Sequence, residues 1–103
     1  MATLADYPVA QEIHRQLGGR MFNVMIGRFH MSATKTSITV GFKARALKKI
    51  KYVRVELTPA DTYTVEFMKI QGFEMKIVSR HEDIYCDQLK ELFERNTGLY
   101  TRL

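Results

Sequence analysis

The chain has 103 residues, of which 46% are hydrophobic, and carries a formal net charge of +5 at pH 7. This length fits one domain with its own core. No stretch approaches the roughly 18 to 20 consecutive apolar residues of a membrane span, and the first six residues show no secretory signal. The single cysteine, Cys86, excludes an internal disulfide and fits a reducing compartment. We therefore predict a cytoplasmic protein that does not enter a membrane.

The first elements are a helix and a strand. Apolar residues of segment 6–17 recur at i, i+4 and i+8, and Gly18 and Gly19 end the pattern. Segment 21–28 is apolar on both faces and predicts a strand that is covered on both sides. Segment 29–36, with its serine and threonines, is predicted to contain a loop.

Four further segments alternate apolar and polar residues and predict strands: 37–42, 52–57, 62–69 and 73–78. Their inward positions are Ile38, Val40, Phe42, Val53, Val55, Leu57, Tyr63, Val65, Phe67, Phe73, Met75 and Ile77. Gly41, inside the first of these segments, predicts a bulge or a close backbone approach. Because most connections are short, neighbouring strands should pair in sequence order, giving an antiparallel meander of about five strands.

A C-terminal amphipathic helix is predicted from Ser79 onward. Ser79 and Glu82 have capping-box spacing, and Gly98 fits the left-handed position that ends a helix. One stripe of the helix is apolar: Tyr85, Leu89, Leu92 and Phe93. The alternating tail 99–103 should pack down. The sum is a single α+β domain over residues 1–103, with the short N-terminal helix and this C-terminal helix, the latter covering one face of the sheet.

Charge is distributed unevenly along the chain. Between Ile13 and Val55 there is no acidic residue but there are ten basic ones: Arg15, Arg20, Arg28, Lys35, Lys43, Arg45, Lys48, Lys49, Lys51 and Arg54. From Glu56 onward, there are nine acidic residues and six basic ones. This asymmetry points to a polyanion or an acidic protein surface as partner, or else to a solvated face that keeps a small protein soluble.

The densest basic segment supplies the candidate binding site, which consists of Lys43, Arg45, Lys48, Lys49, Lys51, Tyr52 and Arg54. For segment 43–51, a turn of helix and a basic loop both fit. Basic side chains beside an aromatic ring hold single-stranded nucleic acid, since cations bind phosphates and the ring stacks on bases. The alternative is that Tyr52 is an ordinary surface residue of a strand and that the lysines keep a loop solvated.

Other constellations do not indicate chemistry. The three histidines, His14, His30 and His81, lack the spacing of metal ligands. Cys86 is expected to be a buried, inert thiol because its acidic neighbours raise a thiol pKa. Strand carboxylates are expected to form surface ion pairs, with Glu56, Glu66 and Glu74 beside Arg54, Lys69 and Lys76. We therefore predict no catalytic residues, no metal site, no cofactor and no enzymatic activity.

A second surface involves methionines. Met21 and Met25 would share a strand phase with Met68, opposite the predicted core set. Exposed methionines form adaptable protein-binding surfaces, so a homodimer seam is one interpretation. Cover by the first helix is the other.

Three pieces of the chain carry a resemblance: the run from Leu17 to Phe22, Asp87-Gln88-Leu89 followed by Phe93, and the closing run from Thr97 to Leu103. They resemble a family of small proteins of bacteriophages and mobile elements, over most of the chain from Leu17 onward. The resemblance implies a phage-borne gene acting in a bacterial cytoplasm, and it implies no activity and no functional residue.

Two functional hypotheses follow. The first is a non-catalytic protein that binds nucleic acid through residues 43–54. The second is a phage-encoded inhibitor of a host defence system, similar in kind to anti-CRISPR proteins, that binds an acidic surface of a host protein.

Overall fold

The computed structural model describes residues 6–101. In this part of the chain, two helices precede five strands and a third helix follows them, so the predicted α+β class is confirmed. The helices are α1 (Pro8–Leu17), α2 (Gly19–Ile26) and α3 (Leu89–Thr97). The strands are β1 (Arg28–Ala33), β2 (Ser37–Phe42), β3 (Tyr52–Leu57), β4 (Tyr63–Gln71) and β5 (Glu74–Ile84). Short 3₁₀ turns lie at Leu47–Lys49 and Cys86–Gln88.

The sheet is the predicted antiparallel meander, with the strands in the order β1-β2-β3-β4-β5. One face packs against all three helices and forms the core. Phe93 of α3 lies at its centre, with ring-centroid distances of 5.0 Å to Phe22, 5.7 Å to Phe42 and 6.2 Å to Phe67. The pairs with Phe22 and Phe42 meet edge to face, and such aromatic pairs stabilise a core beyond the area that they bury. We call the other side of the sheet the open face.

The strand predicted for segment 21–28 is wrong, because these residues form α2. Phe22 and Ile26, four residues apart, are fully buried, while Met21 and Val24 are exposed, which is a helical period. Gly27 ends the helix in the left-handed conformation. Met21 and Met25 therefore lie on a helix, Met68 is buried on β4, and the predicted shared strand surface does not exist.

The loop predicted within segment 29–36 is short and spans only 34–36, because β1 occupies the rest of the segment. Its pairing with β2 contains a bulge, since Arg28 lies opposite Phe42 and His30 lies opposite Gly41. Phe29 is thus the extra residue of the bulge. Bulges redirect side chains, and this one turns Phe29 towards the ring of Tyr52 on the open face, 5.8 Å away between centroids.

The start predicted for the last helix is wrong as well. Segment 79–84 continues β5 by pairing with β4, so Ser79 and Glu82 form no capping box. The helical segment begins after Tyr85, whose backbone N–H donates to the side-chain oxygen of Gln88 at 2.9 Å. Of the predicted stripe, Leu89 and Phe93 are buried and Leu92 is half-buried, but Tyr85 is exposed.

The inward positions predicted for the start of β5 are wrong. Across the β4–β5 turn, Met75 pairs with Ile70 and Ile77 with Met68, and directly opposed residues share a face of the sheet. Met75 and Ile77 therefore lie on the open face, and Phe73 in the turn is fully exposed. A second bulge, between Ile77 and Ser79, reverses the alternation in the rest of β5.

At the C-terminus, Gly98 ends α3 in the predicted left-handed conformation. Thr101 is buried, and the side-chain oxygen of Glu94 accepts from its backbone N–H at 2.9 Å and from its hydroxyl at 3.1 Å. The predicted packing of the tail holds at Thr101, while Tyr100 is exposed and positions 102–103 lie outside the described residues. Among the described residues, no helix has the length and apolarity needed to span a bilayer.

Candidate functional site

The segment 43–51 links β2 to β3 as an irregular loop that contains one 3₁₀ turn. Of the two alternatives for this segment, the basic loop is therefore the correct one. Its start is fixed to the end of α2, because the backbone N–H of Lys43 donates to Gly27 O at 2.9 Å and that of Ala44 to Ile26 O at 3.0 Å. Its end is fixed by Ile50, which is 1% exposed. The loop is therefore held at both ends by buried structure.

Further contacts hold the loop against the sheet and α3. Lys51 N–H donates to Met68 O at 2.9 Å, and Phe42 N–H donates to Lys51 O at 3.0 Å. A methyl group added at Gly98 would lie 3.1 Å from Cγ of Leu47, so the loop approaches the end of α3 closely. Segments with few backbone hydrogen bonds and contacts are the flexible ones. This loop has several of both, and they favour a fixed conformation.

Between this loop, the start of β1 and the end of β4 lies an open depression of about 1100 Å³, which we call the basic groove. Five cations line it: Lys43, Arg45, Lys48, Lys49 and Lys51. Its other lining residues are apolar: Phe29, Phe42, Ala46 and Ile70. The structure thus brings together five of the seven residues predicted for the site and adds an apolar lining.

The cations of the basic groove lack acidic partners within residues 6–101. None of the five lies within 4.0 Å of a carboxylate in this part of the chain. Lys43, Arg45, Lys48 and Lys49 are exposed, whereas Lys51 is half-buried and its Nζ donates to Lys43 O at 3.3 Å. Like charges that are gathered without counterions create a positive potential that attracts anions.

The backbone at the tip of the loop is unusual. Lys48 and Lys49 both have left-handed conformations, with φ values of 55° and 61°. Residues other than glycine rarely adopt this region, and each such residue costs on the order of 1 kcal/mol. The surrounding contacts of the loop hold two adjacent lysines in this conformation.

The remaining cations of the acid-free segment are dispersed. Arg15 pairs with Glu12, and Lys35 lies exposed in the β1–β2 connection. Arg20 is exposed on α2, and Arg28 is exposed at the start of β1. The cations of the first half therefore gather in part, at the loop, and not over a whole face.

Arg54, the sixth predicted cation of the site, belongs to a different arrangement. On the open face its Nη1 lies 3.2 Å from Glu56 and 3.4 Å from Glu66. Arg80 approaches Glu66 at 3.4 Å and Glu82 at 3.2 Å from the other side. Arg54 is thus compensated by carboxylates and does not line the groove.

Tyr52, the seventh predicted residue, sits on the open face beside the groove in an aromatic cluster with Phe29 and His30. Its ring centroid is 5.8 Å from that of Phe29 and 6.1 Å from that of His30, and both pairs meet edge to face. Gly41 lies beneath the cluster: a methyl group built there would lie 2.7 Å from Cε1 of Tyr52 and 3.0 Å from Cζ of Phe29. The nearest atoms to Gly41 thus belong to side chains and not to another backbone, and the missing side chain makes room for the rings.

None of the four apolar lining residues was predicted for the site, and Phe29 and Ile70 are the two of them that are exposed. Phe29 was hidden because a bulge, which leaves no pattern of alternation, sets its direction. Ile70 lies in the part of β4 beyond its pairing with β3, close to the turn. The glycine at position 41, opposite β1, was the available signal for a cluster of large side chains.

Three other predictions concern residues outside the groove. Cys86 is exposed, so its prediction as a buried thiol is wrong. Within residues 6–101, no three histidine, cysteine, aspartate or glutamate side chains are grouped so as to hold a metal ion. The expected strand ion pairs are present for Arg54 and for Lys76, whose Nζ lies 2.9 Å from Glu74.

Comparison of the chain with protein-family models, with curated proteins and with solved structures found no match. The resemblance to small phage proteins therefore stays a prediction.

Proposed function

We propose that the protein binds nucleic acid through the basic groove and that it does so without catalysis. The single observation that carries this proposal is the set of five cations around one depression, without a carboxylate partner in residues 6–101. Phosphate neutralisation by lysine and arginine supplies most of the affinity of non-specific nucleic-acid binding. Its place of action would be the bacterial cytoplasm that the resemblance to phage proteins implies.

The shape of the site supports the same proposal. The loop is anchored at both ends, so its cations are held in place before a ligand arrives, which lowers the entropy lost on binding. An aromatic cluster beside the cations offers a surface for bases. Lys43, Arg45, Lys48, Lys49 and Lys51 would contact phosphates, and Arg54 stays outside the proposed contacts because Glu56 and Glu66 compensate its charge.

The test is charge reversal at the tip of the loop. The variant Lys48→Glu/Lys49→Glu should lose binding to labelled oligonucleotides in low salt, measured by fluorescence anisotropy, while its circular dichroism is unchanged. The matched control is Lys35→Glu/Lys90→Glu, which changes net charge equally at two exposed sites outside the groove. This control should retain most of the affinity.

Two results would count against the proposal. If the wild-type protein binds neither strands nor duplexes in low salt, the groove does not serve nucleic acid. If polyglutamate displaces an oligonucleotide at equal charge concentration, an acidic protein surface is the better partner, as the inhibitor hypothesis requires.

A further inference from the structure

The basic groove differs from a plain electrostatic surface in having an apolar lining. Phe29, Phe42, Ala46 and Ile70 share the depression with the five cations. Phe29 is 48% exposed and Ile70 is 54% exposed, so a ligand in the groove would contact both side chains. A ligand that matches this site needs negative charge and flat apolar surface together.

The aromatic cluster is constructed from three features of the backbone. The bulge in β1 turns Phe29 onto the open face, β3 begins with Tyr52, and Gly41 between them has no side chain. The rings of Phe29 and Tyr52 consequently lie directly over the glycine. Edge-to-face contact fixes the two rings relative to one another, and about half of the Phe29 surface remains free for contact.

The following inference rests on the proposed function. We propose that the ligand of the groove is a single strand, with an unpaired base stacked on Phe29 and Tyr52 and the adjoining phosphates bound by the loop cations. A duplex keeps its bases stacked inside and presents phosphates and sugars to a surface, so it has no partner for exposed phenylalanine and isoleucine. A single strand exposes base faces as well as phosphates. The juxtaposition of an uncompensated cation set with aromatic rings therefore favours unpaired nucleotides.

The experiment compares three ligands of about 12 nucleotides, within the span that small single-strand sites cover: a single strand, its duplex, and an abasic strand with the same number of phosphates. Anisotropy at fixed salt should give the tightest binding for the single strand. Removing a stacked ring weakens binding by roughly 5- to 150-fold, and we expect Phe29→Leu to reduce single-strand affinity within that range. The abasic strand should bind weakly to the wild-type protein and should be insensitive to this substitution.

Two further variants separate stacking from folding. Gly41→Ala keeps every charge and every ring but pushes the ends of Tyr52 and Phe29 away from the sheet, so single-strand affinity should fall as for Phe29→Leu. Tyr100→Leu removes an exposed ring outside the groove and should leave affinity unchanged. Thermal unfolding of each variant establishes that it is folded.

The outcomes distinguish the inference from the proposed function. Equal affinity for the abasic strand and the normal strand, or a duplex that binds at least as tightly as the strand, would overturn the stacking inference while leaving phosphate binding in place. Unchanged affinity in folded Phe29→Leu and Gly41→Ala proteins would overturn it too. Absence of binding to all three ligands would overturn both the stacking inference and the proposed function.

Discussion

The number of loop cations that contact phosphates can be counted from the salt dependence of binding. Each neutralised phosphate of a single strand contributes about −0.7 to the slope of log affinity against log salt. Five contacts, one for each cation of the basic groove, correspond to a slope of about −3.5. Affinity should then fall roughly a hundred-fold between about 50 and about 200 mM salt.

Neutralising two of these cations should change the slope by a known amount. In Lys48→Gln/Lys49→Gln the three remaining contacts give a slope of about −2.1 and a fall of roughly twenty-fold over the same range. The control Lys35→Gln/Lys90→Gln has the same net charge as this variant, but both residues lie outside the groove. Its slope should stay near the wild-type value.

The assay is a titration of a labelled strand by anisotropy at four or more salt concentrations for each protein. If both double variants lower the slope equally, the protein attracts the ligand by net charge and the groove has no special role. If neither variant changes the slope, the phosphates are bound elsewhere. Only a slope change confined to the loop variant agrees with the geometry described above.

Two further predictions concern stability. Lys48 has a φ of 55°, a conformation that glycine adopts without strain. Lys48→Gly should therefore be more stable than Lys48→Ala by about 1 kcal/mol, or about 4–8 °C in Tm, although both remove the same charge. Equal Tm values in a thermal melt would contradict the left-handed conformation. Burial raises the pKa of the Tyr63 hydroxyl, so the folded protein holds this proton more tightly than the unfolded chain does. This contribution to the free energy of unfolding is fully present below the unfolded tyrosine pKa of about 10 and is lost as pH rises through the higher folded pKa. Denaturant unfolding across this pH range should show that the free energy of unfolding falls less in Tyr63→Phe than in the wild-type protein.

The sequence predicted strands well where apolar residues alternate with polar or small ones. In β2 and β3 the alternating residues Ile38, Val40, Val53 and Val55 occupy the core as expected. Such strands carry a period of two that is visible without a structure. The ends of these two strands were also predicted correctly.

Segments without that period were assigned wrongly. α2 is a short helix whose apolar run reads equally as a buried strand, and periodicity alone cannot separate the two. The end of β5 has the local signals of a helix cap at Ser79, but pairing with β4 overrides them. A local sequence pattern carries no information about tertiary contacts of this kind.

The candidate site divides in the same way. Its cations were visible as a cluster along the chain, because neighbours in a loop remain neighbours in space. An ion pair of Arg54 with strand carboxylates was expected from their outward positions on neighbouring strands, and it is present. The placement of Phe29 depends on a bulge, which only the folded chain supplies. Charge density and this ion pair were therefore predictable, whereas the apolar lining was not.

The anchored loop holds two lysines in strained backbone conformations before any ligand binds. A flexible basic tail would also attract phosphates, but each side chain and each backbone unit would lose freedom on binding. Here the hydrogen bonds at Lys43 and Ala44 and the burial of Ile50 fix the loop during folding. The strain at Lys48 and Lys49 is then part of the folded state and adds nothing to the free energy of binding. A preformed cation set of this kind favours a ligand whose phosphates match its spacing, which a mobile tail does not select.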